Sequence, residues 1–142
     1  MNDTVKLLKE CDSGCKTAID GMTQVVKHIS SEDFRSELQH CCRQHVGHSK
    51  RCHAMLNEMG ESTGEPPRIE EAMMHAGTSI KLAIHNDDRH IAEMLAEGAN
   101  MGMTSISKVM NACPDASESS RRLAAEIIRE EQHFYNSMLR YL

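Results

Sequence analysis

Two histidines and two cysteines occupy the middle of an apolar stripe in the segment 34–59. Steps of three and four residues through this segment visit the following positions: Phe34, Leu38, Cys41, His45, His48, Cys52, Met55 and Met59. A helix with this spacing turns one face towards its neighbours in a bundle. Buried imidazoles and thiols are unfavourable unless they have partners. The pattern therefore indicates either two histidine ligands of one metal ion, His45 and His48, or a hydrogen-bond network with carboxylates.

Four cysteines extend this candidate site. Cys11 and Cys15 lie four residues apart on the apolar stripe of the preceding segment, and Cys41 and Cys52 flank the two histidines. A single free cysteine is commonly a small core residue. As a set with imidazoles, these thiols favour a transition metal, zinc or copper, over magnesium or calcium. The first residues lack the apolar run of a secretory leader, so we expect reduced thiols and a cytoplasmic protein.

The first two helices that must position these side chains are predicted from apolar periodicity and caps. The first helix should span residues 3–29, with its apolar stripe in steps of three and four. Ser30 is expected to cap a second helix, which should end near Gly60 because glycine commonly terminates helices. The result is a tight antiparallel hairpin, which sets Cys11 level with Cys52.

The second half of the chain has the same hairpin pattern. A third helix is expected over residues 88–112, capped by the Asn-Asp-Asp segment 86–88. Pro114 then interrupts the chain, and Asp115 is expected to cap a fourth helix that runs to the C-terminus. A shorter helix over residues 69–85 lies in the long connection between the two hairpins. That connection can cross the length of the bundle, so the second and third helices can run parallel.

The order of these elements resembles the ferritin-like superfamily. Three segments carry a closer resemblance to a family of uncharacterised bacterial domains in that superfamily: the opening 7–21, LNEMGESTGEPP, and SIKLAIHNDDRHIAEMLAEG. We therefore expect a single all-α domain over residues 1–142. Its fold should be a ferritin-like four-helix bundle with an extra short crossover helix between helices two and three.

The resemblance implies a di-iron site, built from one Glu on each of two helices and a Glu-x-x-His pair on each of the others. Glu37 with His40, and Glu130 with His133, have this spacing. None of the four lies at the centre of its helical stripe, and the first helix has no acid on its stripe. A di-iron redox enzyme is therefore the third functional hypothesis.

A polar layer at mid-height of the bundle is the sharpest structural expectation. The hairpin sets Cys15 level with His45 and His48, and Glu131 is the single acid on the stripe of helix four. These four residues should converge and could complete a tetrahedral zinc site. In the alternative, Glu131 pairs with a protonated histidine and no metal is needed.

Composition limits the classes of function. A net charge of −5, without a basic stretch interleaved with aromatics, argues against nucleic acid. No apolar run reaches the ~20 residues that span a membrane. The leading hypothesis is a metal-binding protein for storage, sensing or stress protection, with zinc, copper or iron as its ion. A metal-free structural or interaction bundle is the alternative, and the methionine-rich faces suggest a homo-oligomer.

Overall fold

The computed structural model describes residues 2–61 and 87–142, and all regular structure in these ranges is helical. The long helices are α1 (Asp3–Val25), α2 (Glu32–Glu58), α3 (Asp88–Ala112) and α4 (Glu118–Leu139). One 3-10 turn, Val26–His28, follows α1. Within these ranges, the prediction of an all-α fold with four long helices is confirmed. The short helix expected over 69–85 lies outside the described residues.

Each helix begins at a side-chain cap that satisfies one of its free N–H groups. The caps and the N–H groups they accept from are Asn2 with Val5, Ser31 with Phe34, Asp87 with His90, and Ser117 with Ser120. Asp87, within the predicted capping segment 86–88, is the cap of α3. The predictions of Ser30 and Asp115 as caps are wrong by one and two residues. The backbone N–H of Ser30 donates instead to Asp88.

Gly60 ends α2 as predicted. Its φ of 75° lies in the left-handed region that favours glycine. The N–H of Gly60 donates to the carbonyl of Asn57 at 3.0 Å, and the N–H of Glu61 donates to that of Leu56 at 2.9 Å. This pair of hydrogen bonds is the Schellman motif, which satisfies carbonyls left free at a helix end.

Hydrogen bonds at the two ends of the bundle define the directions of the helices. At one end, Asp88 at the start of α3 accepts from the backbone N–H groups of Ser30 and Ser31, just before α2. At the other end, Asp3 at the start of α1 accepts from the N–H of Asp115 at 3.0 Å, just before α4. Helices α2 and α3 therefore run parallel to each other and antiparallel to α1 and α4.

Two apolar clusters fill the bundle, one on each side of a polar level. The first contains Phe34 and Met138, and the second contains Leu8 and Leu123. Fully burying one such side chain contributes about 1.5–3 kcal/mol, so the clusters offset the unfavourable burial of polar groups between them. The most extensive helix contacts are α1 with α2 and α3 with α4, and α2 and α3 occupy opposite corners.

Candidate metal centre

Charged and polar side chains join the middle part of α2 to α4, and we call this interface the α2–α4 seam. It contains four ion pairs: Glu37–Arg140, His45–Glu131, His48–Glu130 and Arg51–Glu126. Partner numbers on α4 fall as those on α2 rise, as the antiparallel directions require. The seam therefore places both central histidines against acids of α4.

His45 and Glu131 form a buried pair, which we call the inner pair. They are 2% and 5% exposed, and Nε2 of His45 contacts Oε1 of Glu131. Nδ1 of His45 lies 2.8 Å from the carbonyl oxygen of Cys41. Because a carbonyl oxygen can only accept a hydrogen bond, Nδ1 carries a proton. The Glu131 carboxylate beside Nε2 favours a second proton on that nitrogen. Burial by itself lowers the pKa of His45, but the hydrogen bonds with the Cys41 thiol and the Glu131 carboxylate raise it well above its ordinary value.

His48 turns towards a different acidic partner. Its Nε2 contacts Oε2 of Glu130, and Glu126 lies one helical turn before Glu130 on α4. One donor atom from each of His48, Glu126 and Glu130 lies within 4.8 Å of the others. We call these three residues the outer cluster. His48 is 5% exposed, and its buried Nδ1 has no hydrogen-bond partner among the residues that the structure describes.

The outer cluster is bordered by Arg51, one turn after His48 on α2. Nη1 of Arg51 lies 2.8 Å from Oε2 of Glu126. This hydrogen bond lowers the pKa of Glu126. The side chains of Arg51 and Glu126 are 50% and 35% exposed, so the cluster reaches from the buried imidazole to solvent.

All six cysteines are free and buried, which agrees with the expectation of reduced thiols. Burial, with smaller contributions from Glu10 and Asp12, raises the pKa of Cys11 to about 12. Burial is also the largest cause of the raised pKa values of Cys15, Cys41 and Cys52. Without a metal these thiols keep their protons and are poor nucleophiles.

A cavity of about 450 Å³ between α1, α3 and α4 reaches the polar layer from the side opposite the seam. Cys15, His45 and Glu131 line it, so three of the four residues expected to converge share this space. Gly102 of α3 borders it, and a Cβ built there lies 3.8 Å from Oε2 of Glu131. This is an ordinary van der Waals distance, so a methyl group at position 102 would contact that oxygen without crowding it.

The fourth expected residue, His48, lies elsewhere. Its ring centre is 6.5 Å from that of His45, and its acidic partner is Glu130. Glu130 and Glu131 are adjacent on α4 and point about 100° apart, so each faces one of the two histidines. Sequence reasoning placed Glu130 on the flank of the stripe and did not consider Glu126. Glu126 and Glu130 are four residues apart and so share a helix face, and this spacing was the sequence signal that could have identified Glu126.

A second buried polar network, between α1 and α2, was not anticipated. Asp12 is buried, although it was expected to fall outside the stripe of its helix. It accepts a hydrogen bond from Ser49 at 2.5 Å and lies 3.1 Å from Nε2 of His53. Lys16 approaches it at 2.8 Å. The pairing of Asp12 with Ser49 agrees with the predicted register of the hairpin.

The residues with di-iron spacing line a cleft of about 520 Å³ on the α2–α4 seam. Glu37, His40, Glu130 and His133 border it together with Arg129 and other polar residues. In the described part of the chain, their donor atoms do not form a convergent group of three; the outer cluster does. Neither α1 nor α3 contributes a carboxylate to the outer cluster.

The comparisons with known proteins give a family and no function. A family model described as "Domain of unknown function (DUF2383)" matches residues 3–112, which span α1 to α3. No curated protein and no solved structure matches the chain. Among the described residues, no helix is both long and apolar enough to cross a membrane. The acids of the outer cluster lie on α4, beyond the matched range.

Proposed function

This chain belongs to the DUF2383 family, and we propose that it binds a divalent transition-metal ion at the outer cluster. The observation that carries the proposal is the convergence of three donor atoms within 4.8 Å, one each from His48, Glu126 and Glu130. They come from two helices that the apolar clusters hold in place. A bundle can therefore support such a donor set without a dedicated loop.

The donor types limit the ion. One imidazole nitrogen and two carboxylate oxygens suit zinc or iron(II) better than copper(I), which prefers thiolates. Three protein ligands leave coordination positions for water, as in exchangeable or catalytic sites rather than closed structural ones. Because Glu126 and Glu130 are partly exposed, an ion can reach them from solvent. These features favour reversible binding, as in metal storage, sensing or stress protection.

The proposal includes a ferritin-like architecture. Its support is the parallel course of α2 and α3, combined with antiparallel hairpins in each half of the chain. The usual di-iron ligand set draws on all four helices, whereas the outer cluster draws on α2 and α4. Binding without oxidative chemistry is therefore favoured over a redox enzyme.

One observation favours a metal-free structural bundle as the second candidate. Each acid of the outer cluster already has a basic partner, Glu130 with His48 and Glu126 with Arg51. His45 and Glu131 are paired as well. The acids of the seam thus have partners without an ion, and burial of such pairs can specify helix register.

Titration of chelator-stripped protein with Zn²⁺, followed by calorimetry, separates the two candidates. We expect about one ion per chain at the outer cluster. Loss of even an indirect partner of a metal ligand typically weakens affinity 10–100-fold. His48→Gln, and Glu126→Gln with Glu130→Gln, should therefore weaken binding at least about tenfold.

His40→Gln is the matched control, because His40 is an exposed histidine on the same helix that lines the neighbouring cleft. The affinity of His40→Gln for Zn²⁺ should equal that of the parent. If the parent binds no zinc, or if all variants bind it equally, the outer cluster is not a metal site. If the parent binds zinc at the outer cluster, elemental analysis of protein made in its native host identifies the physiological ion.

A further inference from the structure

Arg51 holds one of the three donor side chains of the outer cluster. Its Nη1 lies 2.8 Å from Oε2 of Glu126, and it follows His48 by three residues on the same helix. The pair is the last of the four ion pairs of the seam, next to that of His48 and Glu130. In the metal-free protein, a guanidinium therefore occupies the carboxylate that a cation needs.

We propose that Arg51 is an internal counter-cation, which a metal ion must displace from Glu126 in order to bind. The inference rests on the proposed function and deepens it, because it names a residue that lowers the metal affinity of that site.

The two basic partners of the outer cluster respond differently to an incoming cation. His48 can offer the ion a ring nitrogen, because neutral imidazole is a metal ligand. Arg51 cannot, because a guanidinium has no acceptor atom and stays charged at all ordinary pH values. Two positive groups at Glu126 repel each other, so Arg51 must move away.

Arg51 is free to make that movement. Its side chain is 50% exposed. A long flexible stem carries the guanidinium, which can therefore turn towards solvent. Exposed ion pairs contribute little to stability, so release of Arg51 opposes metal binding by roughly two- to fivefold in affinity. The effect should depend on ionic strength, because salt screens exposed charges.

The test compares three variants by titration of the chelator-stripped, full-length protein with Co²⁺ alone. Arg51→Gln removes the charge, and Arg51→Lys keeps it. Arg89→Gln is the control, because Arg89 is an exposed arginine at the start of α3, a helix that contributes no side chain to the outer cluster. We expect Arg51→Gln to bind Co²⁺ roughly two- to fivefold more tightly than the parent at about 0.01 M salt. The ratio should fall towards one at about 1 M salt, where the screening length is about 3 Å.

Arg51→Lys should stay near the parent. Arg89→Gln should stay near it as well, because α3 starts at the end of the bundle where α2 begins, far along α2 from His48. If Arg51→Gln binds Co²⁺ with parental or weaker affinity while the parent binds well, the inference fails and the proposed function stands. If neither the parent nor Arg51→Gln binds Co²⁺, both fail. Binding by Arg51→Gln alone supports the inference, because the guanidinium then keeps the site closed.

Discussion

Replacing Glu131 by leucine should destabilise the metal-free bundle, whereas replacing Glu131 and His45 together should not. The single change leaves the Nε2 of a 2%-exposed imidazole without its carboxylate. The double change removes both polar groups and fills the space with apolar atoms. This contrast measures the inner pair by itself, because a chelator keeps metal out of the experiment.

The expected magnitudes follow from the burial of the pair. Leaving a buried neutral polar group unpaired costs about 1–3 kcal/mol, and a buried charge about 3–5 kcal/mol. Because His45 can lose its proton in the single variant, we expect Glu131→Leu to lose roughly 2–4 kcal/mol. Apolar replacement of a whole buried pair is often neutral or stabilising. The interaction energy in the double-mutant cycle should therefore be at least about 2 kcal/mol.

Urea unfolding of the parent, both single variants and the double variant, with chelator present, gives this energy directly. The single variants should also melt lower, by roughly 3 °C per kcal/mol for a chain of this size. The same cycle on the exposed pair Glu118–Arg122 should give an interaction energy close to zero. An additive cycle at His45 and Glu131 would mean that the two side chains do not interact, and our account of the polar layer would be wrong.

Three further predictions concern residues around the site. The folded protein keeps the Cys11 proton up to about pH 12, whereas the unfolded chain loses it near 9.0, so this thiol's stabilising effect disappears as the pH rises between those values. Between pH 8 and about 10.5, the free energy of unfolding in urea should fall by roughly 1–2 kcal/mol less in Cys11→Ala than in the parent. An equal fall in both proteins would contradict the raised pKa. Asp12→Ala removes the acceptor of two α2 side chains and should lower the free energy of unfolding in urea by about 2–4 kcal/mol. Asp20→Ala, at an exposed position of the same helix, should be neutral, and equal effects of the two changes would argue against the buried network. Gly102→Ala places its Cβ at ordinary contact distance from Glu131 and should stabilise α3 by up to about 1 kcal/mol. Thermal melting measures this change, and a markedly lower melting temperature would show that the space beside Glu131 must stay open.

Much of the fold follows from local patterns along the chain. Apolar residues in steps of three and four form a helix whose buried face is defined by the sequence itself. Gly60 ends α2 because glycine adopts the left-handed conformation with least strain. The short turn after α1 sets the register of the first hairpin, which is why Asp12 and Ser49 lie level. That His45 and Glu131 are buried also followed from their positions on the stripes.

The partner of each histidine was decided by tertiary structure. Glu130 and Glu131 are adjacent, so a rotation of α4 about its axis by a few tens of degrees changes which acid faces which imidazole. Periodicity defines a helix face only to about that accuracy, and it therefore assigned His48 to the wrong acid and missed Glu126. The same uncertainty explains why Asp12, expected outside the stripe of its helix, is buried against α2. Helix existence depends on local spacing, whereas the donor set depends on how four packed helices rotate to fit their cores together.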